Sequence, residues 1–135
     1  MLRVVLDTNI VIAGLSAASP VHWVIEALMS EKYALCISHD ILLEYEEVLK
    51  RKYNQQVAEN FLRALQELPN ALAVEVFYNW NLVPDPDDNK FADAAIAAGA
   101  SYLVTEDRDF NLLKNLPFPV VPVIDLQSFR NILFP

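Results

Sequence analysis

Apolar residues fall in two rhythms along this chain. Short runs rich in β-branched residues read as strands: "LRVVL" at 2–6, "YALCIS" at 33–38, "ALAVEVF" at 71–77, "SYLVT" at 101–105 and "PVVPV" at 119–123. Between them apolar positions recur at helical spacing. A first helix starts after Asp7 and breaks at "SAASP", and "VHWVIEALMSEK" at 21–32 follows Pro20. Ser38 is placed to cap "HDILLEYEEVLKRKY" at 39–53, and "NQQVAENFLRALQEL" at 54–68 ends at Pro69. After the loop "NWNLVPDPDDN" come the helix "KFADAAIAAGA" at 90–100, a short turn or helix in "EDRDFNLL" at 106–113, and a last helix from Asp125. Pro119 and Pro122 place the fifth strand at a sheet edge, because proline cannot donate to a ladder.

Strands alternating with helices imply βαβ units. The expected fold class is therefore α/β, with a mostly parallel sheet of about five strands flanked by helices on both faces. With 135 residues, 54% of them hydrophobic, the chain has the size and apolar content of one domain spanning 1–135. Its single cysteine, Cys36, lies in an apolar strand and excludes an internal disulfide or a multi-cysteine metal site. Asp7 interrupts the apolar N-terminal run, and no later stretch has the length to span a bilayer. A cytoplasmic location is the expectation. A net charge of -8 argues against nonspecific nucleic-acid binding through overall charge, although a carboxylate cluster holding cations inverts that logic locally.

The carboxylates sharpen this picture. Asp7 ends the first strand, Glu44 sits on the helix after the second, Asp88 lies between the third strand and the next helix, and Asp107 follows the fourth. In a doubly wound sheet all four places lie at the carboxyl edge, where ligands bind. Acids that meet there repel one another and raise their pKa values unless cations neutralise them. Oxygen donors without cysteine or histidine favour magnesium or manganese. On the third helix, 3.6-residue spacing puts Ile41, Tyr45, Val48 and Leu49 on the buried stripe and Glu47 opposite it. Glu44 then falls at one margin and Glu46 at the other.

Two other readings fail on residue identity. "DPDDNK" alternates acids like a calcium-binding loop, but Lys90 stands where glycine is needed and Ile96 where the closing glutamate is needed. "DTN" has the start of a phosphatase Asp-x-Asp pair, but Asn9 replaces the second acid.

Three segments, "VVLDTNIVIAG", "ISHDILLEYEEVL" and "DPDDNKFADAAIAAGASYLVTEDRDF", each carry an acid in the right order. With them the chain resembles the PIN-domain family of metal-dependent ribonucleases, in particular the small prokaryotic branch of VapC-like toxins. The resemblance implies that Asp7, Glu44, Asp88 and Asp107 form a catalytic, metal-holding quartet with Asp93 and Asp109 as auxiliary acids. Thr8, Asn9 and Thr105 would orient carboxylates or water. The segment from Asp88 to Asp93 admits more than one alignment with the toxin branch, and the spacing of Asp107 and Asp109 departs from the family's usual last pair. The activity implied is endonucleolytic hydrolysis of RNA by a water activated by one or two Mg2+ or Mn2+ ions. It also implies a small antitoxin partner and a homodimer or higher homo-oligomer. The alternative is a catalytically weak PIN-like module that binds protein or RNA.

Other features have plain structural readings. His22 and His39 sit at helix starts, and Lys50, Arg51 and Lys52 suit the dipole at a helix end. The aromatic "FYNWN" serves packing at a strand end or contact with another subunit, or offers stacking to unpaired bases.

Overall fold

The computed structural model describes residues 1–135. Five strands form one parallel sheet: β1 (Arg3–Leu6), β2 (Ala34–Ser38), β3 (Ala71–Val74), β4 (Tyr102–Val104) and β5 (Val123–Ile124), in the order β3-β2-β1-β4-β5. Six α-helices connect and cover it: α1 (Thr8–Gly14), α2 (Trp23–Met29), α3 (His39–Lys52), α4 (Gln55–Glu67), α5 (Asn89–Ala98) and α6 (Leu126–Leu133). Two 3-10 segments, Pro86–Asp88 and Arg108–Asn115, precede α5 and β5.

The central strand shows why the sequence folds this way. Val4, Val5 and Leu6 of β1 are all fully buried, so both faces of the strand are covered and no polar alternation is tolerated. The chain runs outward from β1 through β2 to β3, then crosses back to β4 on the other side of β1. That reversal opens a crevice beyond the ends of β1 and β4. The Asp7 N–H donates to the Val104 carbonyl at 3.1 Å, so the first acid is stitched to the neighbouring strand.

Helix limits follow local chemistry. The Ser38 hydroxyl accepts from the Ile41 N–H at 3.3 Å at the start of α3, and the Asn54 side chain accepts from Val57 at 2.9 Å at the start of α4. Gly99, with φ of 57°, closes α5 in the left-handed conformation. Lys50, Arg51 and Lys52 form the last turn of α3, where their charge favours the helix dipole. Ile41, Tyr45 and Leu49 are buried on α3 and Glu47 is exposed, as its spacing predicts, whereas Val48, expected on the buried stripe, is half-buried. The Tyr45 hydroxyl donates to the Leu6 carbonyl at 2.6 Å and ties the helix to the end of β1.

Two strands differ from the sequence reading. The third was expected over 71–77 but pairs only through Val74, because its sole neighbour β2 ends at Ser38 and turns into α3. The fifth was expected over 119–123 but forms at Val123–Ile124. Pro122 lacks an N–H and contributes only its carbonyl, which accepts from Leu103 at 2.8 Å. It does lie at the edge, as the prolines require. The second helix is shorter than 21–32, stopping at Met29 before Glu31 adopts a φ of 58°.

Candidate metal centre

The first acid is buried. Asp7 is 8% exposed, and burial pushes its carboxyl pKa up, against the hydrogen bonds it accepts from the Thr105 hydroxyl and the Asn9 backbone. The negative charges of Asp107 and Glu44 add to the rise. Thr105 sits just past β4 and does two jobs: it accepts the Asp107 N–H at 3.0 Å and donates its hydroxyl to Asp7 Oδ2 at 2.8 Å. One uncharged side chain therefore fixes the first acid relative to the loop that carries the fourth.

Asp107 caps the 3-10 segment that follows, accepting from the Asp109 N–H at 2.9 Å. That turn brings Asp109 round beside it. Asp88 arrives from the other side of the crevice, at the N-terminus of α5, where its side chain makes no capping bond. Carboxylate oxygens of Asp88, Asp107 and Asp109 lie within 4.8 Å of one another. Burial, then the charges of Asp85, Asp107, Asp7 and Asp109, push the Asp88 pKa up to about 6. Asp7, Asn9, Glu106 and Asp107 share the lining of a cleft of about 350 Å³.

Glu44 reaches the region from α3, with both of its oxygens engaged. The Thr8 hydroxyl donates to Oε2, and the Lys90 ammonium donates to Oε1 at 2.7 Å. Asp93, although on the same helix as Asp88, is buried and accepts the Trp80 N–H at 3.0 Å; burial raises its pKa against that bond. It anchors the loop before α5. Asn89 does the same from one turn earlier, exchanging hydrogen bonds with both backbone groups of Val83 at 2.8 and 3.1 Å.

The structure thus groups Asp88, Asp107 and Asp109, sets Asp7 and Thr105 against them, and puts Asn9 at the cleft. It sets Glu44 beside Thr8 and Lys90, and Asp93 against the loop. Lys90 entered the sequence reading only as the residue that spoils a calcium loop. Its position two residues after Asp88, in the first turn of a helix, was the available signal. Asp85 and Asp87 are exposed, as expected for loop residues. His22 Nδ1 lies 2.6 Å from the Gly14 carbonyl and His39 is exposed, so neither lines the centre. Tyr78, Trp80 and Phe118 pack edge to face, with ring centroids 4.7 and 5.8 Å apart.

A doubly wound parallel sheet with an oxygen-only acid cluster at its switch point defines a class: an α/β protein with a candidate site for a hard divalent cation. The chain belongs to the PIN domain family, whose model matches residues 3–109, a span that includes every candidate acid. Two solved structures share the fold. One is VapBC2 from Rickettsia felis bound to a DNA fragment from their promoter, 20% identical over 92% of this chain and 98% of that chain, with a TM-score of 0.62. The other is DNA-bound VapBC from Salmonella typhimurium, 15% identical over 93% and 98% of the two chains, with a TM-score of 0.55. No curated protein sequence matches the chain.

Proposed function

We propose that this chain is a metal-dependent endoribonuclease that hydrolyses RNA phosphodiester bonds, and that it is the toxin of a toxin–antitoxin pair. PIN domains are nucleases, and the observation that carries the reading is the convergence of Asp88, Asp107 and Asp109 oxygens within 4.8 Å at the carboxyl edge of that fold. The donor set fits Mg2+ or Mn2+: it is all carboxylate, and Asp88 is pushed up to about 6 by burial and then by the charges of neighbouring acids, which a cation would offset. Asp88, Asp107 and Asp109 would hold the ion, with Asp7 alongside. Such an ion supplies an acidified water and stabilises charge developing on the phosphate.

The protein's own groups prepare that site. Thr105 and the Asn9 backbone occupy Asp7 from the protein side, so its carboxylate keeps one orientation toward the cleft. Asp107 spends one oxygen on the Asp109 N–H and keeps its remaining acceptor capacity free. Asn9, exposed beside Asp7, presents an amide to a nucleotide in the cleft. No histidine lines the cleft, and His22 is tied to a backbone carbonyl.

We further propose a small antitoxin protein as partner, a homodimer as the working state, and the cytoplasm as its location. The fold relatives are VapBC complexes, and Phe77, Phe118 and Val120 are 88%, 77% and 67% exposed, which suits surfaces that partners cover. No helix is long and apolar enough to cross a membrane.

The test is cleavage of labelled RNA in Mn2+ or Mg2+, with EDTA controls and the Asp7→Asn variant. Metal-dependent cleavage that falls by about 100-fold or more in the variant is expected, a barrier increase of about 2.7 kcal/mol. Undiminished cleavage by Asp7→Asn would refute the site. A second reading is a catalytically weak module that binds protein or RNA, which the net charge of -8 favours in that it opposes capture of bulk RNA as substrate. Tight RNA binding without cleavage in Mn2+ would select it.

A further inference from the structure

We propose that the outer edge of β3, from Ala71 to Phe77, is a docking surface that takes an extended, basic and apolar segment of a partner protein as a sixth strand. The inference goes beyond the nuclease reading and uses none of its acids. Three observations carry it.

First, the two edges of the sheet are treated differently. β5, at one edge, has two residues and follows Pro119 and Pro122. Short strands and prolines are ordinary means of keeping an edge from pairing. β3, at the other edge, continues into Glu75, Val76 and Phe77, and the run "ALAVEVF" holds no proline, lysine or arginine. Its residues favour a strand beyond Ser38, where β2 stops supplying a partner.

Second, the backbone of that edge points outward with no strand to receive it. The Leu35 N–H donates to the Asn70 carbonyl at 2.9 Å, and Leu35 lies opposite Ala71. Alternation along a parallel ladder then gives the peptide groups of Asn70, Leu72 and Val74 to β2 and turns those of Ala71, Ala73 and Glu75 away from it. The Ala71 N–H is taken by the Leu68 carbonyl at 3.2 Å. Ala73 and Glu75 are exposed, which leaves their N–H groups and the Ala73 carbonyl open to an added strand.

Third, hollows flank the edge along its length. One of about 330 Å³ is lined by residues 71–75 and by Leu42 of α3 and Leu62 and Leu65 of α4, so it has an apolar wall. A second of about 340 Å³ shares Ser38, His39, Val74 and Glu75 with the first and carries on to Phe77, which is 88% exposed. A strand over this edge covers about 20 Å. Every second side chain of an added strand faces such hollows, which is how strand addition selects its peptide.

Charge selects the occupant. Asp40 and Glu75 line these hollows, and no lysine or arginine does. Lysine or arginine on the added strand supplies the missing counter-charge, and β-branched apolar residues fill the wall of Leu42, Leu62 and Leu65. A second copy of β3 does neither. The antiparallel register that pairs Ala73 with Glu75 in both directions sets the two Glu75 residues diagonally on one face, roughly 7–8 Å apart. It brings no cation and joins two chains of net charge -8 each.

The probe is a capped peptide of alternating lysine and valine, about seven residues long, titrated into 15N-labelled protein in EDTA without RNA. Cleavage, present or absent, does not enter this measurement. Controls are the peptide methylated at its valine nitrogens, the peptide methylated at its lysine nitrogens, and an alternating glutamate–valine peptide. The variants are Ala73→Pro, which removes an outward N–H and no bond to β2, and Glu75→Lys, with thermal melts to confirm folding.

The lysine–valine peptide should shift the Ala73 and Glu75 amide signals and protect them from exchange. One of its methylated forms should bind about tenfold more weakly or worse, because it has lost the donors that face β3. Ala73→Pro should weaken binding by a similar factor, and Glu75→Lys should reverse the preference between the basic and acidic peptides. Shifts centred outside residues 71–77, equal binding by both methylated forms, or no binding at millimolar peptide would overturn the proposal. An unchanged preference in Glu75→Lys would overturn the basic character of the occupant. A wild-type dimer that Ala73→Pro converts to monomer in sedimentation would give the edge to a second copy, which also overturns it. The methylated peptides are read on the wild type, so they decide the matter even where the proline variant fails to fold.

Discussion

Replacing Asp88 by Asn should stabilise the metal-free protein at neutral pH. The fold raises the Asp88 pKa from the ordinary 3.8 to about 6, through burial first and then the charges of Asp85, Asp107, Asp7 and Asp109. The folded state thus binds this proton more tightly than the unfolded chain, so the associated stability is full below 3.8 and is lost as pH rises through about 6. Taken at face value the difference is about 3 kcal/mol. Asp88 is half-exposed, and solvent and salt screening reduce that to about 1.5 kcal/mol. The N-terminus of α5 favours a negative charge by about 0.5 kcal/mol, which the substitution gives up. No capping hydrogen bond is lost, because the Asp88 side chain makes none. The net gain of about 1 kcal/mol corresponds to a Tm rise of roughly 3–4 °C for a domain of this size. Differential scanning fluorimetry in EDTA at pH 7.5 and low salt measures it, and the gap should narrow as pH falls from 6 toward 4. Millimolar Mg2+ should reverse the order, since the wild type gains binding energy that the variant lacks. A variant that melts at or below the wild type in EDTA at pH 7.5 would refute the reasoning.

Asp93→Asn should leave Mn2+ affinity and cleavage within about threefold of wild type, because its amide carbonyl still accepts the Trp80 N–H; a loss matching that of Asp88→Asn would transfer the ligand role to Asp93. Thr105→Val should push the Asp7 pKa further up, since the Thr105 hydroxyl holds it down, and a carboxyl-detected NMR titration of the metal-free protein reads that change directly. Tyr45→Phe removes the hydrogen bond to the Leu6 carbonyl beside the first acid and should cost about 1 kcal/mol in urea unfolding, where an unchanged midpoint would show that the bond contributes nothing net.

How much of this was legible in the sequence depended on the range of the physics involved. Strand cores such as "VVL" in β1 and the stripe of Ile41, Tyr45 and Leu49 on α3 are set by local periodicity, and they lie where the pattern puts them. Strand ends are set by neighbours: β3 stops because β2 stops, which no residue within 71–77 encodes. The choice between Asp88 and Asp93 was open in the alignment, although helix geometry bears on it. Five residues separate them, about 140° around a helix, so both cannot face one cleft. Asp93 turns to the loop amide at Trp80, which its buried carboxylate holds. The Lys90–Glu44 pair was invisible because its partners lie 46 residues apart, although helix spacing had already set Glu44 and Glu46 at the margins of α3 and Glu47 opposite its buried stripe.

The uneven distribution of counter-charges explains why the acids can sit so close. Thr8 and Thr105 donate hydrogen bonds without adding charge, so they orient Glu44 and Asp7 while leaving the negative potential of the crevice intact. Lys90 pairs with Glu44, while Asp88, Asp107 and Asp109 form no ion pair. Had a lysine been placed among those three, the metal-free fold would be more stable and the pull on a cation weaker, since binding would have to displace an existing pair. Part of the rise at Asp88, after burial, is repulsion from neighbouring acids, and a bound cation would recover that part. On that account, any substitution that relieves the repulsion without a cation should raise the metal-free Tm and weaken metal affinity together, and one that did only the first would show that Asp88 stands outside the cation's reach.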